Sequence, residues 1–227
     1  MRLTPRRSVE VMRNRTPAKT IEDRDEPVTI VVATNNAHKV NEIRSALEIE
    51  DIRFVPIGEV IKGWESPIED ADTFEGNAFI KADAVHRATG LPALADDSGL
   101  IVDVLGGDPG VHSSSYGGVE GDDARNNERL LRELADVTSE DRRARFTSTL
   151  VLVGLDEHIE HAPTYLTTQG SVEGWIAQTP RGDAGFGYDP LFMPDETPGK
   201  SMAELSMDEK NAISHRGRAL AALAQKL

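Results

Sequence analysis

The hydrophobic and polar positions of the chain switch between the period of a strand and the period of a helix. Residues 28–33 form an apolar run that is typical of a buried strand. Polar residues 34–38 interrupt this run, after which Val40, Ile43 and Leu47 repeat at helical spacing. The pattern predicts a strand, a loop and a helix in that order.

Capping residues predict two further helices. Asp72 and Glu75 have the spacing of a capping box, so one helix should begin near Asp72. Asp122 or Asp123 can cap a later helix. The apolar positions that follow at helical spacing are Phe74, Ala78, Ala82 and Val85 in the first helix and Leu130, Leu131 and Leu134 in the second.

The closing helix of the chain is expected to be broken. Ser206 and Glu209 form a capping box, and the helix behind it carries Ile213, Leu220 and Leu223. Lys210 and His215 both offer hydrogen-bond donors, yet residues five apart on an unbroken helix lie roughly 140° apart. We expect a break between them, or a ligand that curls around the helix.

A polar tetrad, Asp96 to Gly99, lies between two strand-like runs. The runs are residues 94–95 and 100–105, so we place the tetrad at a strand end. Further strands are predicted at residues 145–155 and 164–175, and a glycine-rich loop at residues 181–190.

Strands and helices mix throughout the chain, which predicts the α/β class, and we find no internal repeat. Residues 28–227 are long enough to bury one core or two small lobes that face a cleft. Residues 1–27 are basic, lack apolar periodicity and end in an acidic run, so we expect a disordered extension. A transit peptide or a nucleic-acid-binding arm is the alternative interpretation of this basic start.

Composition narrows the classes of partner and cofactor. The chain has 39 acidic and 25 basic residues, and its formal net charge of -14 repels an extended phosphate backbone. We therefore expect no nucleic-acid partner, although a few placed cations and a divalent metal can still hold a nucleotide. The absence of cysteine excludes thiolate metal sites and leaves hard oxygen ligands. No run reaches 18 apolar residues and the start lacks a signal-peptide core, so we expect a cytoplasmic protein without a membrane span.

Residues 34–39 are a candidate anion site. They lie between a predicted strand end and a helix start, where backbone N–H groups and the helix dipole favour negative charge. Lys39 adds a full positive charge. Simple capping of the helix by Thr and Asn is the competing interpretation.

The acidic residues suggest a site for a hard metal ion. Adjacent carboxylates such as Asp96 and Asp97 repel each other unless a cation or donors hold them. Mg²⁺ prefers few protein carboxylates, water and phosphate oxygens, so an Asp of the tetrad and a distant Glu would suffice. Glu69 belongs to an acidic cluster that offers such a Glu. A plain Asp-Ser-Gly turn and a solvated acidic surface are the competing interpretations.

Two later segments could recognise a base. Residues 185–189 hold Phe186 and Tyr188 near glycines, an arrangement that lets a flat ring stack while the backbone approaches closely. Donors suited to phosphate or carbonyl oxygens gather at the last helix, namely Lys210, Ser214, His215 and Arg216. A glycine-rich turn and a solvated helix face are the competing interpretations.

Five ordered segments together resemble one family, the inosine triphosphate pyrophosphatase or Ham1-like family. They are ATNNAHKVNEI (33–43), TFEGNAFIKA (73–82), ADDSGLIVDVLGGDPGVHSS (95–114), GFGYDPLF (185–192) and EKNAISHRGRAL (209–220). The resemblance covers nearly all of residues 28–227, and five motifs in order make a chance match negligible.

The resemblance implies an elongated mixed β-sheet flanked by helices, with two lobes around a central substrate cleft, in a protein that is usually a homodimer. It implies Mg²⁺-dependent hydrolysis of non-standard purine nucleoside triphosphates (ITP, dITP, XTP) to the monophosphate and pyrophosphate, which cleanses the nucleotide pool. A Maf-like pyrophosphatase for pyrimidine or modified nucleotides is the alternative within enzymes. A nucleotide-binding regulator without turnover is the alternative outside them.

The resemblance implies a role for each residue that matches a functional position of the family motifs. The resemblance makes Asp97 the catalytic carboxylate, and Glu69 with Asp97 the metal ligands. The implied substrate-binding residues are Thr34, Asn35, Asn36, Ala37, His38 and Lys39 for the triphosphate, Phe186, Gly187, Tyr188 and Asp189 for the base, and Ser98, Lys210, His215 and Arg216, of which the last two surround the purine 6-keto edge. Asn35 and His38 depart from the family, which often has glycine at the first position and a small residue at the second.

The implied mechanism is attack by water on the α-phosphorus. Lys39 and the loop amides would bind the outgoing phosphates, while the metal ions neutralise the developing charge. Donors placed against a 6-oxo group would reject adenine, because its amino group leaves a buried donor unpaired at about 1 to 3 kcal/mol per group.

Overall fold

A six-stranded mixed sheet forms the centre of the computed structural model, which describes residues 26–47, 49–159 and 162–227. The strands are β1 (Val28–Val32), β2 (Ile52–Pro56), β3 (Ala93–Val102), β4 (Arg143–Val153), β5 (Tyr165–Ile176) and β6 (Phe192–Pro194). Their order across the sheet is β2-β1-β3-β4-β5-β6. Strand β1 is parallel to β2 and β3, and the remaining pairs are antiparallel. The predicted α/β class with a mixed sheet is confirmed.

Helices supply the connections that parallel strands require. They are α1 (Ala37–Ala46), α2 (Ile57–Val60), α3 (Phe74–Thr89), α4 (Asp123–Glu133), α5 (Met207–Ile213) and α6 (His215–Ala224). Helix α1 joins β1 to β2, and α3 precedes β3. The strand, loop and helix predicted at the start of the domain are therefore confirmed. The short elements β2, α2 and β6 were not predicted.

Two predicted helix starts have different outcomes. Asp122 caps α4, because its carboxylate accepts a hydrogen bond from the Arg125 N–H at 3.1 Å. The prediction that Asp72 begins a capping box is wrong, because Thr73 caps α3 instead. The Thr73 backbone is extended and its hydroxyl accepts from the Gly76 N–H at 3.0 Å, which is the geometry of an N-cap.

The core is divided by the alternation of side chains along the strands. On one face of the sheet, Ala93 and Ala95 pack with α3. On the other face, Leu94 packs with residues of α1 and α6. Farther along β3, Leu100 and Val102 belong to a separate cluster that includes residues of α4. Apolar clusters therefore lie on both sides of the polar tetrad.

The tetrad lies in the middle of β3, and the prediction that it ends a strand is wrong. All four residues pair with β4, opposite Leu150, Thr149, Ser148 and Thr147. Three of these partners carry hydroxyl groups, so the sheet can continue through a polar stretch that would otherwise interrupt it. The result is a polar band across the sheet between the apolar clusters.

The predicted break in the closing helix is confirmed. Ser214 has an extended backbone that ends α5, and its hydroxyl accepts from the Gly217 N–H at 3.0 Å to cap α6. The capping box of Ser206 and Glu209 is also present. The new direction of α6 lets Lys210 and His215 line the same cavity.

Two further predictions concern the start of the chain and the absence of a membrane span. The extension at residues 1–27 falls almost entirely on residues 1–25, which lie outside the described residues. Within the described part of the chain, no helix is both long and apolar enough to cross a membrane.

Candidate active site

A cavity of about 790 Å³ opens over the polar band of β3. This volume lies in the range of pockets that enclose small ligands. Among the site residues named from sequence, all line the cavity except Asn35, Ala37 and Ser214. Asn35 instead donates a hydrogen bond to the backbone oxygen of Trp64 at 3.3 Å, and Ala37 is the first residue of α1.

The loop before α1 is organised by its own side chains. Asn36 caps α1, accepting from the N–H groups of His38 at 2.9 Å and Lys39 at 3.2 Å. The Thr34 hydroxyl accepts from the Asn36 N–H at 3.1 Å. Because these amides already have acceptors, the main attraction for an anion is the Lys39 ammonium. That group contacts Asp96 at 2.8 Å.

Six charged side chains of alternating sign form a chain beside the cavity. In order of contact they are Lys39, Asp96, Arg216, Glu42, Lys210 and Asp189. Three cations balance three carboxylates, and every member except Lys39 is buried. Buried charges are costly unless each has partners, so this network is satisfied as a unit.

The network sets the protonation states at its centre. Burial raises the pKa of Asp96, but Arg216 and Lys39 outweigh burial and hold this pKa well below its usual range. Burial and the neighbouring Arg216 charge lower the pKa of His215 well below its usual value. His215 is therefore neutral, stacks on Phe146 with ring centroids 4.9 Å apart, and its Nδ1 has no hydrogen-bond partner among the described residues.

Asp97 belongs to a second cluster on the opposite face of the sheet. The Lys81 ammonium of α3 lies 2.8 Å from Asp97 Oδ1 and 2.6 Å from Glu69 Oε2. Burial raises the pKa of Asp97 to about 6, although Lys81 opposes this effect. Asp97 Oδ2 is buried and has no hydrogen-bond partner among the described residues.

The chemistry of this second cluster fits a hard cation. Two carboxylates share one ammonium, which leaves an excess of negative charge, and the free oxygen of Asp97 is an available ligand. Within the described residues, no group of three or more carboxylate or imidazole side chains could hold a metal. Glu69 and Asp97 therefore suit an ion such as Mg²⁺, which keeps waters and substrate oxygens in its coordination shell.

The two aromatic residues that were predicted to stack on a base, Phe186 and Tyr188, have different surroundings. Phe186 is half-buried at the cavity, with the Lys210 ammonium 4.9 Å and the Arg216 guanidinium 5.7 Å from its ring centroid. His38 stacks on it, with ring centroids 5.4 Å apart. Tyr188 touches the cavity but is buried in the core, where its hydroxyl donates to the Ser113 backbone oxygen at 2.8 Å. Phe186 alone of the two is placed to stack with a ligand.

Comparison with known proteins identifies the family. The sequence profile of the Ham1 family matches residues 30–226. The dITP/XTP pyrophosphatase of Escherichia coli O157:H7 is 46% identical, with 87% of this chain and 97% of that protein aligned. The dITP/XTP pyrophosphatase of Deinococcus deserti is 49% identical over 86% of each chain. The chain belongs to the Ham1 family.

Solved Ham1 structures share this architecture. The HAM1 protein of Coxiella burnetii superposes with a TM-score of 0.76 at 41% identity, covering 87% of this chain and 97% of that one. The Ham1 protein of Staphylococcus aureus gives a TM-score of 0.75 at 37% identity, with 87% and 96% covered.

Two charged residues of this Ham1 site were missed by sequence reasoning. Lys81 is buried on the apolar face of α3, and Glu42 is buried on α1. Each is a charged residue next to the apolar positions of its helix, and this pattern could have indicated a buried ion pair. Lys and Glu are almost never fully buried without a partner. Their partners are far along the chain, as Glu42 and Arg216 are separated by 174 positions.

Proposed function

We propose that this Ham1-family chain hydrolyses non-standard purine nucleoside triphosphates such as ITP, dITP and XTP to the monophosphate and pyrophosphate. The observation that carries the proposal is one cavity whose lining combines Phe186 and Arg216 with Asp97, Glu69 and Lys39. A ring-stacking group, a guanidinium, a carboxylate pair and an ammonium are the parts that a nucleotide hydrolase requires. The two dITP/XTP pyrophosphatases align over 97% and 86% of their length and support the same activity.

Base selection rests on donors beside Phe186. Arg216 uses four contacts on Asp96, Glu42 and Ser98, which leave one of its five N–H groups, on Nη1, for a ligand. The neutral His215 ring carries one further N–H. A 6-oxo purine would accept from these donors. An adenine amino group would leave them unpaired, at about 1 to 3 kcal/mol per buried donor.

The opposite end of the cavity would act on the phosphates. Lys39 would exchange Asp96 for a phosphate oxygen, since its side chain is partly exposed whereas Asp96 is buried. Asp97 would orient the attacking water, because its buried Oδ2 has no hydrogen-bond partner among the described residues. Lys81 would hold the other oxygen of Asp97 in place.

Glu69 and Asp97 would hold the Mg²⁺ ion. When bound, the ion would neutralise charge on the phosphate oxygens and favour departure of pyrophosphate. The excess negative charge around Lys81 supports this assignment.

A homodimer in the cytoplasm is proposed as well, on the strength of the family resemblance. Phe79 of α3 and Tyr165 of β5 are 41% and 38% exposed, and their ring centroids lie 5.6 Å apart, which provides an exposed apolar surface between these two elements. Light scattering coupled to size-exclusion chromatography would measure the mass, and a monomer at micromolar concentration would contradict the dimer.

The test is phosphate release from a panel of nucleoside triphosphates with and without added inorganic pyrophosphatase. The proposal predicts phosphate from ITP, dITP and XTP only when the pyrophosphatase is present, and little from ATP. Phosphate released without the added enzyme would indicate removal of the γ-phosphate instead. Preference for pyrimidine nucleotides would favour the Maf-like alternative, and binding without turnover would favour the regulator.

A further inference from the structure

Local hydrogen bonds hold only one side of the turn that carries Phe186. It is flanked by Gly185 and Gly187, both with positive φ, at 80° and 62°. Glycine has more conformational freedom than any other residue, so such a turn is loose unless outside contacts hold it. On one side the Phe186 N–H donates to Asp189 Oδ2 at 2.9 Å.

Helix α4 holds the other side of the turn through two side chains. Asp123 Oδ2 accepts from the Gly187 N–H at 2.7 Å. Asn127 Nδ2 donates to the Gly187 backbone oxygen at 2.9 Å. Asp123 and Asn127 are four residues apart, and such residues share a helix face. One face of α4 therefore binds both polar groups of a single residue that lies 64 and 60 positions away in the chain.

The helix that provides these contacts is itself firmly anchored. Asn126 is buried, donates to the Ser114 backbone oxygen at 3.0 Å and accepts from the Gly117 N–H at 2.6 Å. Leu130 and Leu134 are fully buried in the core. A functional turn tied to a rigid helix keeps its geometry better than a turn tied to another loop.

We propose that Asp123 and Asn127 are positioning residues that fix the orientation of Phe186 for base stacking. This inference rests on the proposed function. Asp123 also lines the cavity, but the contacts of both side chains toward Phe186 are hydrogen bonds to the peptide groups of Gly187. Stacking depends on the plane of the ring, and a displacement of about 1 Å can reduce a rate by about two orders of magnitude.

Asn127 provides independent support for a role other than stability. Its Oδ1 is buried without a hydrogen-bond partner among the described residues. An unpaired buried acceptor costs free energy, so an apolar side chain of the same size would suit a purely structural position better. The Nδ2 group instead holds Gly187 and also donates to the Asp123 backbone oxygen at 2.9 Å.

The experiment compares Asp123→Ala and Asn127→Leu with two controls in the full-length protein. Asp123→Asn keeps an acceptor oxygen for the Gly187 N–H, and Glu128→Ala changes an exposed residue of the same helix. Steady-state kinetics on ITP and ATP give kcat and KM. Calorimetry gives the Kd of IMP, which has a base, and of inorganic tripolyphosphate, which has none, and thermal unfolding gives Tm.

We expect Asp123→Ala and Asn127→Leu to lower kcat/KM for ITP by about tenfold, mainly through KM, and to lower the ITP to ATP ratio. IMP binding should weaken while tripolyphosphate binding and the Tm of Asn127→Leu stay unchanged. Asp123→Asn should recover most of the loss, and Glu128→Ala should match the wild type.

Three results would overturn the inference. They are unchanged ITP kinetics in both variants, equal weakening of IMP and tripolyphosphate, and a loss that Asp123→Asn shares in full. A wild-type protein that binds IMP but does not hydrolyse ITP would refute the proposed function alone, because the IMP measurements would still test the role of α4.

Discussion

Replacing Asp97 with asparagine is expected to remove activity and yet make the metal-free protein more stable. Burial raises the pKa of Asp97 from 3.8 to about 6, even with Lys81 beside it. At about 1.4 kcal/mol per pKa unit, this difference makes the charged carboxylate cost about 3 kcal/mol of folding free energy. Asparagine has a similar shape and no charge, so it should recover up to about that amount above pH 6.

The pH dependence of stability tests whether the charged Asp97 carboxylate destabilises the fold. Because the folded pKa of Asp97 is raised, the cost is absent below pH 3.8, grows between pH 3.8 and about 6, and is complete above that. The stability gain of Asp97→Asn should follow the same course. Urea unfolding of both proteins in EDTA, at several pH values from 4 to 8, measures it. Loss of metal positioning and of water orientation should meanwhile lower kcat on ITP by about 10² or more.

Asp96→Asn is the matched comparison, and its stability should change in the opposite direction. Arg216 and Lys39 outweigh burial and hold the pKa of Asp96 well below its usual range, so its charge stabilises the fold above its ordinary pKa. Removing one partner of a buried ion pair costs about 3 to 5 kcal/mol. A stability loss in Asp97→Asn at pH 7.5, or a gain that does not vary with pH, would refute the reasoning about the buried carboxylate.

Three further predictions concern the metal, base selection and the start of the chain. EDTA should abolish ITP hydrolysis and added Mg²⁺ should restore it, because Glu69 and Asp97 together carry more negative charge than Lys81 balances. Full activity in buffer that contains EDTA and no added Mg²⁺ would contradict the metal site. Arg216→Lys keeps a cation near Glu42 but loses the planar guanidinium with its several N–H donors. The value of kcat/KM should therefore fall about tenfold more for ITP and XTP than for ATP. Equal losses for all three substrates would indicate that Arg216 contacts a phosphate. Deletion of residues 1–25 should leave Tm and ITP turnover unchanged, because a basic segment without apolar periodicity cannot contribute to a core; a clear fall in either would show that these residues pack on the domain.

Local features of this protein were determined by the sequence itself. The capping box of Ser206 and Glu209, the break at Ser214 and the strand, loop and helix of residues 28–46 all follow from residues at most a few positions apart. The capping hydrogen bonds close within one helical turn, so no distant partner is needed to specify the helix ends, whereas the apolar run of β1 marks a strand whose partners lie elsewhere in the chain. The five motifs added the family and the positions of most cavity residues, but not the contacts between them.

Only the tertiary structure decided how the charges pair and which oxygen remains free. Asp96 and Asp97 are neighbours of the same type, yet the pKa of one is lowered and that of the other raised. Alternation along β3 sends Asp96 to Arg216, 120 positions away, and Asp97 to Lys81 on the opposite face of the sheet. The strength of a charge interaction depends on distance and burial, and both are properties of the packed sheet and helices rather than of local sequence.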